Sequence, residues 1–500
     1  VFEIPKNINQ KRIIDTVSQH FTIEREDNLT ENYIYFDTYD WKLLNKNLLL
    51  IKKDKEYVLH EIKNNKEEKL GITKIPKSVS DFQGDPKYNY LKKIIENRAL
   101  LRFVKTRNNT KYYLVKNSDD KIVVRFAIEN VKVIDSKREI LVGNFIDISP
   151  LRGYLQEKKI FEALLLELKL IQINIPLINK ISEKASLKIG EYTSKIDFKF
   201  DKNEPINDAV VKLYLYLMEI MKKNEDGIRK NVDIEFLHDF RTSLRKTRAG
   251  LSQIKGVFPE EVVAEYKERF ADIQRKTNNA RDLDVYLSEK CDYYEITPAE
   301  VHEGLDEFFN LLELERKKEQ TNLKRLLSSK FYKSTLSDWN SYLNNYKPPD
   351  ENLVNVLVAA KIYINKKLKS VIKKGKKITS KSAEAQLHDL RIECKKLRYL
   401  LEFFKSVFPK KEIEFIINQL KSLQDYLGEF NDLSVHKEKL KIFLEEYSED
   451  SKEPIMFATA VGALISIKHT RQMEIRKQFK SKFHNFIKAE NLNKFEALLK

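Results

Sequence analysis

Two rules of hydrophobic spacing divide the chain. Residues 1–200 carry short runs in which β-branched and aromatic residues alternate with polar ones, punctuated by Asn, Asp and Gly. Leu48–Lys52, Tyr57–Ile62, Leu100–Thr106, Tyr112–Lys116, Ile122–Ile128 and Glu139–Ile148 read as strands. Asn9–Gln19 and Leu155–Leu170, the latter following Ser149-Pro150, read as helices. This pattern predicts an antiparallel sheet or barrel. From residue 204 the apolar positions fall at i, i+3, i+4 and i+7 instead. Helices are predicted over Val210–Lys223, Ile234–Val257, Val262–Lys276, Val301–Ser329, Leu353–Ile372, Glu384–Val407, Glu412–Tyr426 and Ile455–Ile487. Proline marks the stops at Phe258-Pro259, Lys347-Pro348-Pro349 and Phe408-Pro409. The join is expected near Phe198–Pro205, giving a β-rich domain over 1–200 and an all-α domain over 201–500.

The helical half repeats itself. Aligned at an offset of 150 with no gap, His238, Asp239, Arg241, Lys246, Arg248, Leu251, Lys255, Val257, Phe258, Pro259, Gln274, Asp282, Leu283 and Val285 each meet the same residue type. Arg245 meets Lys395, which keeps the charge. A duplicated helical unit explains this, with copies over about 205–345 and 350–500 packed about a pseudo-two-fold. On an ideal helix His238, Arg241, Arg245 and Arg248 span an arc of about 80°. Leu237, Phe240, Leu244, Leu251 and Ile254 form a separate apolar stripe. The second copy matches: His388, Arg391, Lys395 and Arg398 form its basic row, and Leu387, Leu390, Cys394, Leu397, Leu401 and Phe404 its apolar one.

Like charges at this spacing repel, by roughly 0.2–0.5 kcal/mol per i,i+4 pair. A lone basic row usually means a solvated face. Its return at matching positions argues for a bound anion between two facing rows. The two histidines are equally readable as cap or packing residues, each followed by Asp, and neither has a second His at metal-binding spacing.

Composition agrees with that picture. Lys and Arg number 92 against 75 Asp and Glu, a net charge of +17 that suits a polyanionic partner. The excess is split evenly, +9 in residues 1–200 and +8 in 201–500, so only local patterning locates a site. The 12 glycines include no GxxxxGK[ST] and no GxGxxG, which excludes P-loop and dinucleotide-binding readings. Cys291 and Cys394 form no CxxC, which fits a reducing, cytoplasmic setting. No apolar run approaches the ~20 residues of a membrane span, so no membrane partner is expected.

Asn224–Leu251, Asn278–Val285, Ala385–Phe404 and Leu427–Val435 resemble the CHAD family, the conserved-histidine α-helical domain, and Leu326–Trp339 resembles its mid-domain helix. The resemblance covers roughly Pro205–Lys500. It implies two pseudo-symmetric helical bundles around a basic channel that binds inorganic polyphosphate. The ligands it implies are His238, Arg241, Arg245, Lys246 and Arg248 from the first copy, and His388, Arg391, Lys395, Lys396 and Arg398 from the second. Tyr399, Arg281 and Asn431 join them, with Asp282 and Asp432 expected to orient Arg or His side chains or to cap a helix. A channel of charge-assisted donors suits a ligand that offers only phosphate oxygens.

Tyr35–Leu50 resembles the CYTH family, whose antiparallel β-tunnel acts on triphosphates, with weaker support from Lys63, Val104–Arg107 and Val124–Val131. The catalytic pattern departs from that family. Only Phe2–Pro5 resembles the stretch just after the ExExK motif, with Val1 where its Lys would fall, so the motif is upstream or degenerate. Asn47 replaces a Gly, Ile51 an Arg, and the late acidic strand keeps only Asp147. Lys53, Lys63, Lys105, Arg107 and Arg125 remain as phosphate ligands, or as ordinary surface charges.

The expectation is therefore an α+β protein of two domains. A degenerate CYTH-like antiparallel barrel or tunnel precedes a CHAD domain that binds polyphosphate without chemistry. No cofactor is expected, and Mg²⁺ or Mn²⁺ only if the β-domain hydrolyses triphosphates. Nucleic acid is disfavoured, because the basic rows lack interleaved aromatics for stacking except at Tyr399.

Overall fold

A computed structural model describes residues 1–135, 138–173, 176–193, 198–348, 354–379, 381–447 and 453–500. The chain divides after Thr193 into two compact units. Among the described residues no helix is long and apolar enough to cross a membrane.

The first unit runs β1 (Phe2–Ile4), α1 (Gln10–Val17), β2 (Thr22–Asp37), β3 (Leu48–Lys53), β4 (Glu56–Glu61), β5 (Lys66–Leu70), α2 (Tyr88–Ile95), β6 (Leu101–Lys116), β7 (Ile122–Asp135), β8 (Arg138–Pro150), α3 (Leu155–Glu167), β9 (Ile171–Gln172) and α4 (Leu177–Lys184). Its strands form one sheet in the order β5-β4-β3-β2-β6-β7-β8-β1-β9, with antiparallel pairing throughout. Alternation sends successive side chains to opposite faces. Ile13, Val17, Phe161 and Leu165 of α1 and α3 pack with Phe126, Ile128 and Ile146. Tyr35, Ile51, Val58, Val104, Val133 and Val142 build a second core, covered by Ile178 and Ile181 of α4.

β2 is the one long strand that sequence pattern does not predict. Its first half, Thr22–Glu31, is mostly exposed and has no apolar alternation. It is a strand because β6 pairs along it from Thr22 to Asp37. Backbone hydrogen bonding there outweighs weak local propensity.

The second unit is all helical: α5 (Ile206–Lys230), α6 (Ile234–Gln253), α7 (Glu260–Arg275), α8 (Asn278–Ser288), α9 (Lys290–Ile296), α10 (His302–Ser328), α11 (Lys330–Asn345), α12 (Val356–Lys376), α13 (Glu384–Phe403), α14 (Lys410–Tyr447), α15 (Pro454–Phe486) and α16 (Ala489–Leu499). Pro349, expected to stop one helix, and Leu353, expected to start the next, lie outside the described residues. Every position assigned to the two apolar stripes is buried, from Leu237 to Ile254 and from Leu387 to Phe404.

Two contacts show how the copies meet. Pro205 bridges to Asn355, and Tyr286 Oη donates to the carbonyl of His436 at 3.1 Å. Each joins a residue to the position 150 later, its own counterpart. Residues that touch their own counterparts lie on the axis of a two-fold relation. Around that axis, Tyr286, Phe308 and Phe309 from one copy pack with Leu440, Phe457 and Leu464 from the other.

The copies differ in where their helices break. A single helix ending at Tyr426 is expected after Pro409, but α14 runs unbroken for 38 residues, to Tyr447. Its counterpart is split into α7, α8 and α9, first around Lys276–Thr277 and again at Glu289. Leu427 continues the apolar face of α14. Thr277, at the equivalent place, turns its hydroxyl back onto the Gln274 carbonyl at 2.8 Å.

Gly304 brings α10 against the first turn of α15. A Cβ there would stand 2.2 Å from the Met456 carbonyl oxygen, a backbone atom that cannot swing away. Gly304→Ala is expected to destabilise the helical unit by about 1–3 kcal/mol. Denaturant unfolding followed by helical circular dichroism checks this.

Candidate functional site

The α6 and α13 rows meet in one cleft of about 770 Å³. The first copy supplies His238, Thr242, Arg245 and Lys246; the second supplies Arg391, Lys395, Arg398, Tyr399, Glu402 and Lys405. α14 adds Ile417, Gln424, Asp425, Gly428, Glu429 and Asp432. Seven of the thirteen candidate ligands therefore line a common space.

The other six have different places. Arg241 is buried, at 6% exposure, and its guanidinium donates to the Gln274 carbonyl at 3.0 Å and to Asn278 Oδ1 at 2.8 Å. It holds α6 to the α7–α8 break, where the Gln274 carbonyl also accepts from the Thr277 amide and hydroxyl. In the second copy α14 has no break, so Arg391 has no such carbonyl. It turns into the cleft instead and donates to Asp432 Oδ1 at 3.1 Å. One duplicated arginine has thus become an anchor in one copy and a cleft wall in the other. Arg248 donates to Gln274 Oε1 at 2.7 Å, and Lys396 to Glu393 Oε1 at 3.3 Å. Arg281 lies outside the cleft, with a buried Nη1 that meets no acceptor. His388 is exposed, and its Nδ1 is hydrogen-bonded to Asn431 Oδ1.

These last contacts form a chain. Asn431 Nδ2 donates to Asp432 Oδ1 at 3.3 Å, and Asp432 receives Arg391. His388 and Asn431 thereby brace the carboxylate that orients Arg391. Asp432 has the orienting part expected of it. Asp282 does not: it pairs with Lys439, across the two copies. Glu235, His238 and Asp239, at i, i+3 and i+4 on α6, bring potential ligand atoms within 4.8 Å of one another at the cleft edge.

Residues 216–441 match the family model of the CHAD domain. This part of the chain is a CHAD domain. Among solved structures, the CHAD domain from the plant Ricinus communis is 20% identical, with a TM-score of 0.49, over 57% of this chain and 94% of that one. PptA from Streptomyces chartreusis is 13% identical, with a TM-score of 0.44, over 56% of this chain and all of that one. No curated protein matches the chain.

Within the CHAD domain the cleft is electrostatically strained. Lys395 is held down at about 8, first by burial and then by the charges of Arg391 and Arg245. Burial lowers Arg391 as well, and takes Arg241 down to about 10, so both guanidinia stay charged. Two carboxylates offset part of this. Glu402 receives Arg398 at 2.7 Å and Lys246 at 3.5 Å, tying α13 to α6, and Asp432 holds Arg391. Among the described residues Arg245 donates only to the hydroxyl of Thr242, at 2.8 Å. Two buried donors on this wall, Arg391 Nε and Gln424 Nε2, meet no acceptor among the described residues. Lys405 and Gln424 were also legible in sequence, since both recur at the offset of 150; of the α14 carboxylates Asp432 was, and Asp425 and Glu429 were not.

Lys395→Met should therefore stabilise the domain, by about 0.5–2 kcal/mol at pH 7. Its folded pKa lies below the ordinary 10.5, so its charge costs stability fully below about pH 8 and the cost fades between there and 10.5. The stability gap between variant and parent should close over the same window in denaturant titrations.

Proposed function

We propose that the CHAD domain binds inorganic polyphosphate in the cleft between α6 and α13, and does so without chemistry. The observation that carries this reading is a cation cluster that the cleft's own carboxylates compensate only in part. Arg245, Arg391 and Lys395 act on one another across the two copies, and the Lys395 charge is already partly forfeited. A polyanion supplies what the cleft lacks, negative charge to offset the remaining repulsion. Two rows on separate helices suit a chain ligand, which continues from one to the other, better than a single small anion. Tyr399 is the one aromatic ring on the cleft wall, too few for stacking a run of bases.

In Arg245→Ala/Arg391→Ala/Lys395→Ala, polyphosphate affinity should fall at least a hundredfold, with a salt dependence shallower by about 2 in log–log slope. Arg241→Ala should instead act through stability. Affinity of the unsubstituted chain should drop about tenfold from pH 7 to pH 9, as Lys395 loses the proton that binding requires. Fluorescence anisotropy with labelled polyphosphate measures all three, with single-stranded RNA as competitor. Unchanged affinity in the triple variant, or equal displacement by RNA at matched salt, would remove the assignment.

A second reading places a triphosphate on the inner face of the β-sheet. One observation favours it: Glu129 is pushed up to about 7 by burial and by the charge of Asp147, with Lys53, Glu67 and Glu31 also acting on it. Lys53 is paired with Glu67 at 2.6 Å, and Arg107 with Glu139, so these two cations have partners already. The metal that CYTH-type hydrolysis needs finds no ready site. Among the described residues no three carboxylate or imidazole groups of this face bring ligand atoms within 4.8 Å of one another. Metal-dependent release of phosphate from tripolyphosphate, lost in Glu129→Gln, would establish this reading; no release with Mg²⁺ or Mn²⁺ would exclude it.

A further inference from the structure

The duplication treats one hydrophobic corner in two ways. Phe258 and Phe408 are counterparts, each between a Val and a Pro. In the first copy Phe258 is boxed in by the protein's own rings: Tyr346 at 4.9 Å, Tyr342 at 5.6 Å, Trp339 at 5.8 Å and Tyr214 at 5.9 Å between centroids. In the second copy Phe408 makes no ring contact among the described residues. Its corner opens instead into a cleft of about 610 Å³, walled by Leu357, Phe415, Ala497 and Leu498.

The rim of this cleft is basic. Lys202, Lys361, Lys411 and Lys494 stand around it against the single carboxylate of Glu412. Lys494 is engaged, 2.9 Å from Glu490 and 3.7 Å over the Phe415 ring. Lys202, Lys361 and Lys411 form no ion pair among the described residues. An apolar wall beneath free cations selects an amphipathic anion. The first copy indicates its shape, because flat rings fill the same corner there, edge-on to the phenylalanine.

We infer that the corner at Phe408 is a second binding site of the helical unit, for an aromatic carboxylate. The ring body packs on Phe408, Leu357 and Leu498, and the carboxylate faces Lys202, Lys361 and Lys411. This site is distinct from the α6–α13 cleft and shares no lining residue with it.

Calorimetric titration of the full chain with 2-naphthoate tests the proposal. One site per chain of micromolar affinity is expected, with 2-naphthol, which lacks the carboxylate, at least tenfold weaker. Lys361→Glu/Lys411→Glu should weaken naphthoate at least tenfold. Ala497→Trp, which supplies a ring as the first copy does, should abolish binding with the fold intact by circular dichroism and polyphosphate affinity unchanged. The proposal is overturned if naphthoate does not bind at millimolar concentration or binds both variants as well as the parent. Tighter binding of dodecanoate would overturn the aromatic assignment. Stoichiometric displacement of naphthoate by polyphosphate would show instead that these lysines belong to a phosphate surface.

Discussion

Mutual repulsion between two facing rows of cations is the constraint on which the helical unit turns. Arg245 from one copy stands close enough to Arg391 and Lys395 from the other for their charges to act on each other while partly shielded from water. Such an arrangement does not persist by itself. Hydrophobic burial along the other side of each helix holds it in place, with Phe240 and Leu244 in one copy and Leu390, Cys394 and Leu397 in the other essentially inaccessible. Glu402 then clasps a cation from each helix, and Asp432 fixes a third. Stability from packing is set against a charge arrangement that these carboxylates relieve only in part.

Duplication explains how such a site arises and why it is not symmetric. A two-fold relation brings one helix face into confrontation with its own copy, and so concentrates like charge near the axis. The copies then diverged in backbone as well as in side chains. The Lys276–Thr277 break turns Arg241 into a structural anchor, whereas the continuity of α14 leaves Arg391 for the cleft. The Phe258 and Phe408 corners diverged in the same manner, one filled by rings from α11 and from Tyr346 just beyond it, the other left open.

Much of this was legible in the sequence, for identifiable reasons. Helical periodicity reports burial directly, so the stripes on α6 and α13 were readable residue by residue. The offset of 150 exposed the cationic rows, because it contrasts retained positions with drifting ones within one chain. Periodicity does not report where a helix breaks. Pattern reading therefore ended α14 some 20 residues early and could not distinguish Arg241 from Arg391. Nor does it report what faces a row across space, so the carboxylates of Glu402, Asp425 and Glu429 in the cleft were invisible, and only Asp432, which repeats Asp282, was legible. β2 was missed for a third reason: its polar first half owes its form to pairing with a strand about eighty residues away.

The account makes the protonation of one amine its most direct reporter. Nitrogen NMR of the Lys395 side chain, titrated with pH, should give a pKa near 8 in the free protein and a value moved back toward the ordinary 10.5 when polyphosphate is bound. A Lys395 that titrates near 10.5 in the free protein, or whose pKa polyphosphate leaves unmoved, would contradict the claim that the cleft is a strained cation cluster awaiting an anion.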